Sequence, residues 1–196
     1  MSAQNTVRPN AESIAASVRA AQKGGGLPPV DKWDPPDMGE MDMVITREGT
    51  WIHEGTPITR AGLVRLFSTI LRRDGDRYVL VTPVEKVGIT VEDAPFVAVD
   101  MTVTGEGQDQ ALTFLTNVGD ETTAGPDHPI RIVQGDGEEP SPYVHVRGGL
   151  EALIDRKSFY RMVDLGTDHE HEGENWFGLW SGGVFFPIIP SDALPD

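Results

Sequence analysis

The sequence predicts an α+β protein in which two related hairpin–helix–hairpin units are joined through mostly antiparallel sheet. Three observations carry this reading. From Met43 to Val91, short apolar runs alternate with Gly and Pro turns around one amphipathic helix. A diverged stretch with the same order of elements returns between Tyr143 and Ile188. Between them, Phe96 to Val118 has the period-two alternation of a long antiparallel hairpin. The expected domains are an N-terminal helix and linker over residues 1–30, a first repeat domain over 31–92, and a second over 93–196 that carries the inserted hairpin.

Taken in order, Asn10 caps an Ala-rich helix that runs to Lys23 and stops at Gly24, Gly25 and Gly26. The following LPPVDKWDPPDMGEMD is a proline-punctuated connector in which Trp33 is the expected anchor. Met43 to Arg47 and Thr50 to Glu54 pair across Glu48-Gly49. Thr59 is the expected cap of a helix over Arg60 to Arg73, whose stripe Leu63, Leu66, Phe67, Ile70 and Leu71 is apolar. Asp74-Gly75-Asp76 ends it, and Tyr78 to Thr82 pairs with Lys86 to Val91 about Pro83.

Along Phe96 to Thr104, the alternation places Val97, Val99, Met101 and Val103 on one face and Ala98, Asp100 and Thr102 on the other. Ala111 to Val118 is the partner strand, and Ile130 to Val133 is a short edge strand. The second unit then follows: Tyr143 to Arg147, Leu150 to Ile154, a helix capped by Asp155 and ended at Gly166, and a last hairpin of Trp176 to Trp180 with Val184 to Ile188. Arg47-Glu48-Gly49 and Arg147-Gly148-Gly149 stand at matching turns, so the two units read as a diverged duplication.

The net charge of −15 excludes a general affinity for phosphate backbones or anionic membranes, so no nucleic acid partner is expected. The absence of cysteine excludes disulfides, thiolate metal sites and cysteine nucleophiles. No apolar stretch reaches the roughly 20 residues of a membrane span, and the N-terminus carries no apolar leader; a cytoplasmic location is expected.

The segments REGTWIHEGTPITRAGLVRLFSTILRRDGDRYVLVTPVEKVGI, EDAPFVAVD, TNVGDE and PYVHVRGGLEALIDRKSFYRMVD resemble the bacterial family of domain of unknown function 1285. The resemblance runs from about Leu27 to Pro190. It implies an α+β protein with a repeated core whose C-terminal part is similar to pleckstrin-homology-like folds. It implies no catalytic residues.

The residues offer several candidate sites. His169 and His171 in Asp168–Glu172 stand at i, i+2, where an extended segment would present both imidazoles on one side to a metal. A solvated loop between the Gly166 stop and the Gly173 turn is the preferred reading of that stretch. Arg60, Arg65, Arg72, Arg73 and Arg77 form a positive island suited to phosphate or carboxylate, although pairing with surrounding acids explains it as well. Lys86 stands among apolar neighbours beside a proline turn, while Asp93 and Asn117 stand at strand ends. Trp176, Trp180, Phe185 and Phe186 crowd the last hairpin, as core or as an aromatic ligand wall.

No nucleotide-binding loop, nucleophile elbow or cofactor fingerprint is present, and no cofactor is expected. The expected function is therefore a non-enzymatic binding module in signalling. Its ligand would be small and anionic or nucleotide-like, held between the two units by Lys86, Arg65, Asp93, Asn117, Arg147 and Tyr160. The alternatives are a metal-dependent hydrolase using the Asp168–Glu172 segment and a protein-interaction adaptor.

Overall fold

The computed structural model describes residues 10–22, 25–137 and 139–195. The chain divides into two compact units, residues 1–93 and 94–196.

The N-terminal unit opens with helix α1, Ala11–Ala21. Asn10 accepts the Ser13 backbone N–H at 2.8 Å, and the Ser13 hydroxyl closes the capping box. The expected helix end at Lys23 and Gly24 lies outside the described residues. Strands β1 (Asp37–Ile45), β2 (Trp51–His53) and β3 (Thr56–Pro57) form an antiparallel meander. Helix α2 (Ala61–Ser68) leads to a second meander of β4 (Leu71–Asp74), β5 (Arg77–Val81) and β6 (Lys86–Val91). The two meanders join where β1 runs parallel to β6, giving the sheet order β3-β2-β1-β6-β5-β4. Met43, Ile45, Trp51, Phe67, Ile70 and Leu80 are buried at its core.

Helix α2 is shorter than its apolar stripe predicts. The Ser68 and Thr69 hydroxyls donate to the Arg65 and Leu66 carbonyls, both at 2.6 Å, and close the helix one turn early. Ile70 and Leu71 remain buried, but Leu71 already belongs to a strand. Nor does Thr59 cap the helix: Arg60 holds the cap position, without a side-chain hydrogen bond. Arg72 and Arg73 therefore alternate across β4 instead of sharing a helix with Arg65.

That change gives Arg72 a structural task. Its guanidinium donates to the Val30 and Trp33 carbonyls of the proline-rich connector, each at 2.7 Å, and forks onto Asp74. The connector is thereby tied to β4, the edge strand of its sheet. The Arg72 hydrogen bond, seconded by Lys86, holds the Asp74 carboxyl below the ordinary range. Arg72→Met is expected to cost about 1–3 kcal/mol, because both carbonyls lose this donor and Asp74 keeps only Lys86. Chemical denaturation of the variant checks this, and an unchanged midpoint would assign the connector's anchorage elsewhere.

The C-terminal unit begins with the meander β7 (Phe96–Thr104), β8 (Ala111–Thr116) and β9 (Glu121–Thr123). A second meander comprises β10 (Ile130–Val133), β11 (Ser141–Arg147) and β12 (Leu150–Ile154). Again a parallel pair joins them, here β12 with β7, in the order β10-β11-β12-β7-β8-β9. Helix α3 (Arg156–Asp164) starts at Asp155, whose carboxylate accepts the Ser158 N–H at 2.9 Å. It leads to a separate antiparallel sheet of β13 (Thr167–His171), β14 (Glu174–Ser181) and β15 (Val184–Pro190).

Three expectations change here. The two stretches read as copies do not occupy equivalent places: around α2 the flanking strands share one sheet, whereas around α3 they fall into two. What recurs is the wiring of each six-stranded sheet, two meanders joined by their first and last strands. In β7 the strict alternation breaks at a bulge between Ala98 and Asp100, so Phe96 and Ala98 are buried before it and Met101 after it. Finally, Asp168–His171 is a strand rather than a loop, turned back by Glu172 and Gly173 at φ +52° and +83°.

Candidate functional site

In the C-terminal unit, the β7–β8 turn faces β13 and the end of β14 across a cavity of about 450 Å³. Its lining includes Glu106, Gln110, Thr167, Asp168, His169 and Trp180. None of its lining residues is Lys or Arg. Trp180 is positioned by the strand pair β14–β15, where it stands opposite Phe185. His169 meets Trp180 edge-on at 4.9 Å and Phe185 at 4.8 Å, so strand alternation brings it onto the aromatic side of the sheet. The wall is held from behind. Gln110, buried at the start of β8, donates its Nε2 to the Trp180 carbonyl at 2.9 Å. The buried Ser181 hydroxyl accepts from Leu112 N at 2.9 Å and donates to the Ala124 carbonyl at 2.8 Å. Asp168 accepts the Ser191 hydroxyl at 2.5 Å.

His171 shares a strand face with His169, as its i, i+2 spacing predicts, and lies 5.8 Å from Phe185. Among the described residues, no group of three or more His, Cys, Asp or Glu side chains is arranged to hold a metal ion. Ring packing is what the structure records for both histidines.

The six residues assigned to an anionic ligand divide between the units. In the N-terminal unit, Arg65 lines a second cavity of about 550 Å³ with Gln22, Gly25, Gly26, Gly62 and Thr69. Lys86 is ion-paired to Asp74 at 3.0 Å, and Asp93 to Arg47 at 2.9 Å. In the C-terminal unit, Asn117 accepts the Val97 N–H at 3.0 Å and ties the end of β8 to β7. Arg147 meets Asp120 at 2.6 Å and lies over the Phe96 ring. Tyr160 is 52 % exposed on α3, with its hydroxyl 3.3 Å from Glu139. Of the six, only Arg65 lines either of these two cavities.

Among the described residues, no helix is long and apolar enough to cross a membrane. The model of the DUF1285 N-terminal domain, a domain of unknown function, matches residues 28–94, and that of the DUF1285 C-terminal domain matches residues 95–188. The chain belongs to the DUF1285 family. A DUF1285 protein of Silicibacter pomeroyi, known from its crystal structure, is similar over 91% of this chain and 96% of its own, with 59% identity and a TM-score of 0.82. The crystal structure of a DUF1285 protein of Shewanella baltica is similar over 63% of this chain and 91% of its own, with 29% identity and a TM-score of 0.50. No curated protein matches this chain. The family models divide the DUF1285 chain between residues 94 and 95, next to the division between its compact units.

Sequence reasoning missed Gln110 and Ser181 as supports of the cavity wall. Gln110 ends a Gly-rich turn that reads as solvent-exposed, and its partner is 70 residues away. The aromatic crowding in β14–β15 was the one legible signal.

Proposed function

We propose that this DUF1285 protein is a non-enzymatic binding module whose small-molecule ligand sits in the Trp180 cavity. The observation that carries the proposal is a concave site of about 450 Å³ with one indole wall and a set of polar groups around it. A planar ligand face gains most by stacking on or meeting Trp180. The carboxylates of Glu106 and Asp168, a lining without Lys or Arg among the described residues, and the net charge of −15 all favour a neutral or cationic ligand over an anionic one.

A second reading keeps the anionic, nucleotide-like ligand and places it in the Arg65 cavity of the N-terminal unit. Three glycines line it without side chains that would narrow it, and a guanidinium is the group suited to fork onto an anion. Calorimetric titration with a panel of neutral, cationic and anionic heterocycles separates the two readings. In the first, Trp180→Ala weakens binding of a neutral or cationic compound at least tenfold, about 1.4 kcal/mol, while Arg65→Ala leaves it unchanged. The reverse pattern, with an anionic compound, supports the second. If no compound binds, or if neither substitution matters, both readings fail.

A further inference from the structure

We propose that the His128–His145 pair is a proton-operated latch that sets the position of the Trp180 cavity wall. The proposal rests on the cavity being the functional site, and it adds how that site is regulated.

The two imidazoles meet Nδ1 to Nδ1 at 3.2 Å, with ring centroids 5.3 Å apart. The tautomers follow from a third group. The Gly149 backbone N–H donates to His145 Nε2 at 3.2 Å, so that nitrogen carries no proton in the neutral ring. His145 therefore bears its proton on Nδ1 and donates it to His128 Nδ1. Every nitrogen open to a further proton is thus already a hydrogen-bond acceptor. A proton on His128 Nδ1 breaks the contact between the rings, and one on His145 Nε2 expels the Gly149 N–H. The same assignment argues against a metal between the rings, since Nδ1 ligation would require the His145 proton to sit on Nε2.

The surroundings contain charges of both signs. From β12, Glu151 stands opposite His145 and is itself paired to Arg131 of β10 at 2.9 Å. The Asp127 main chain faces the ring from the preceding loop. Arg147, on the same strand as His145, is paired to Asp120 of the β8–β9 turn, and Glu121 of β9 is exposed. Burial and the neighbouring His128 push the His145 pKa down, against the opposing pull of Glu151 and the Asp127 carbonyl. The unfolded chain therefore takes up a proton more readily than the folded one. The stability that goes with the neutral ring is fully present above the ordinary value near 6.5 and is lost as pH falls below it, through the lower folded value.

The connection to the cavity is a chain of short contacts. His128 closes a tight loop with Gly125 through reciprocal backbone hydrogen bonds of 3.1 and 3.2 Å. That loop abuts the β14–β15 turn, where a Cβ on Gly182 would lie 2.9 Å from the Gly125 Cα. Ser181 bonds the Ala124 carbonyl, and Gly182 N donates to the Gln110 carbonyl at 3.2 Å. Gln110 and Trp180, bonded to each other, line the cavity. Loss of the hydrogen bond between the rings thus acts on the loop that anchors Ser181, whose neighbour in sequence is Trp180.

The test needs no ligand, so its failure is distinct from failure of the binding proposal. The whole chain is labelled with 5-fluorotryptophan, the Trp180 resonance is assigned by its loss in Trp180→Phe, and its ¹⁹F shift is followed from pH 8 to 5. His169→Gln serves as the background, because His169 touches Trp180 directly. The expected result is a Trp180 titration with a midpoint below 6.5, abolished by His145→Gln and, independently, by His128→Gln. A titration that vanishes already in His169→Gln, or survives both latch substitutions, overturns the proposal.

Discussion

Trp51→Ala lowers the stability of the N-terminal unit by about 3–5 kcal/mol, the range for removing a large buried aromatic side chain. Trp51 is 1 % exposed, sits on β2 opposite Ile45, and stacks on Phe67 of α2 at 6.2 Å. One side chain therefore joins the sheet to its helix, and its removal leaves a cavity that neither rigid element can collapse to fill. Its indole N–H has no hydrogen-bond partner among the described residues, so its contribution is packing alone. Trp51→Phe retains most of the ring contact and deletes the unpaired donor, so its expected cost is about 1–2 kcal/mol. Urea unfolding followed by far-UV circular dichroism measures both. Equal losses in the two variants would show that packing against Phe67 is not the source.

Ser181→Ala is expected to cost the C-terminal unit about 2–4 kcal/mol, because it orphans two buried backbone groups at once. The Ser181 hydroxyl is fully buried and bridges the Leu112 N–H to the Ala124 carbonyl. Alanine carries no hydroxyl to pair with either group at this buried position, so both are left without their partner. The readout has two parts. Denaturant unfolding gives the free energy, and amide hydrogen exchange at Leu112 gives the site, since its protection falls only if this bridge is lost. A destabilised variant with Leu112 still protected would locate the cost elsewhere.

Much of the secondary structure was legible because its signals are local. The Gly49 and Gly148-Gly149 turns, the Asn10 and Asp155 caps and the hairpin about Pro83 each depend on residues within a few positions of one another. Where local signals compete, the sequence misleads. The apolar stripe of α2 continues to Leu71, yet two hydroxyls end the helix at Ser68 and the same apolar residues are buried in a strand. Period-two alternation along β7 is real, but a single bulge exchanges its faces partway. The segment Asp168–His171 is polar enough for a loop and still forms a strand, because its pairing with β14 gives its backbone groups partners.

The candidate sites divide in the same way. Composition alone established a cysteine-free, strongly acidic chain without disulfide or thiolate chemistry, and the pattern of apolar runs and turns established the α+β class. The spacing of His169 and His171 allowed a shared face only if the segment were extended, and the structure makes it a strand in place of the preferred loop, with His169 packed on the aromatics of the last hairpin. Only the tertiary structure decided that Arg72 is a strut, that Lys86 is paired with Asp74, and that His128 meets His145 across 17 residues. It also decided that Gln110 and Ser181 hold the wall of a cavity. The physical reason is range: a turn or cap is set by neighbours in the chain, whereas a buried polar group is satisfied by whichever distant backbone the sheet order brings beside it.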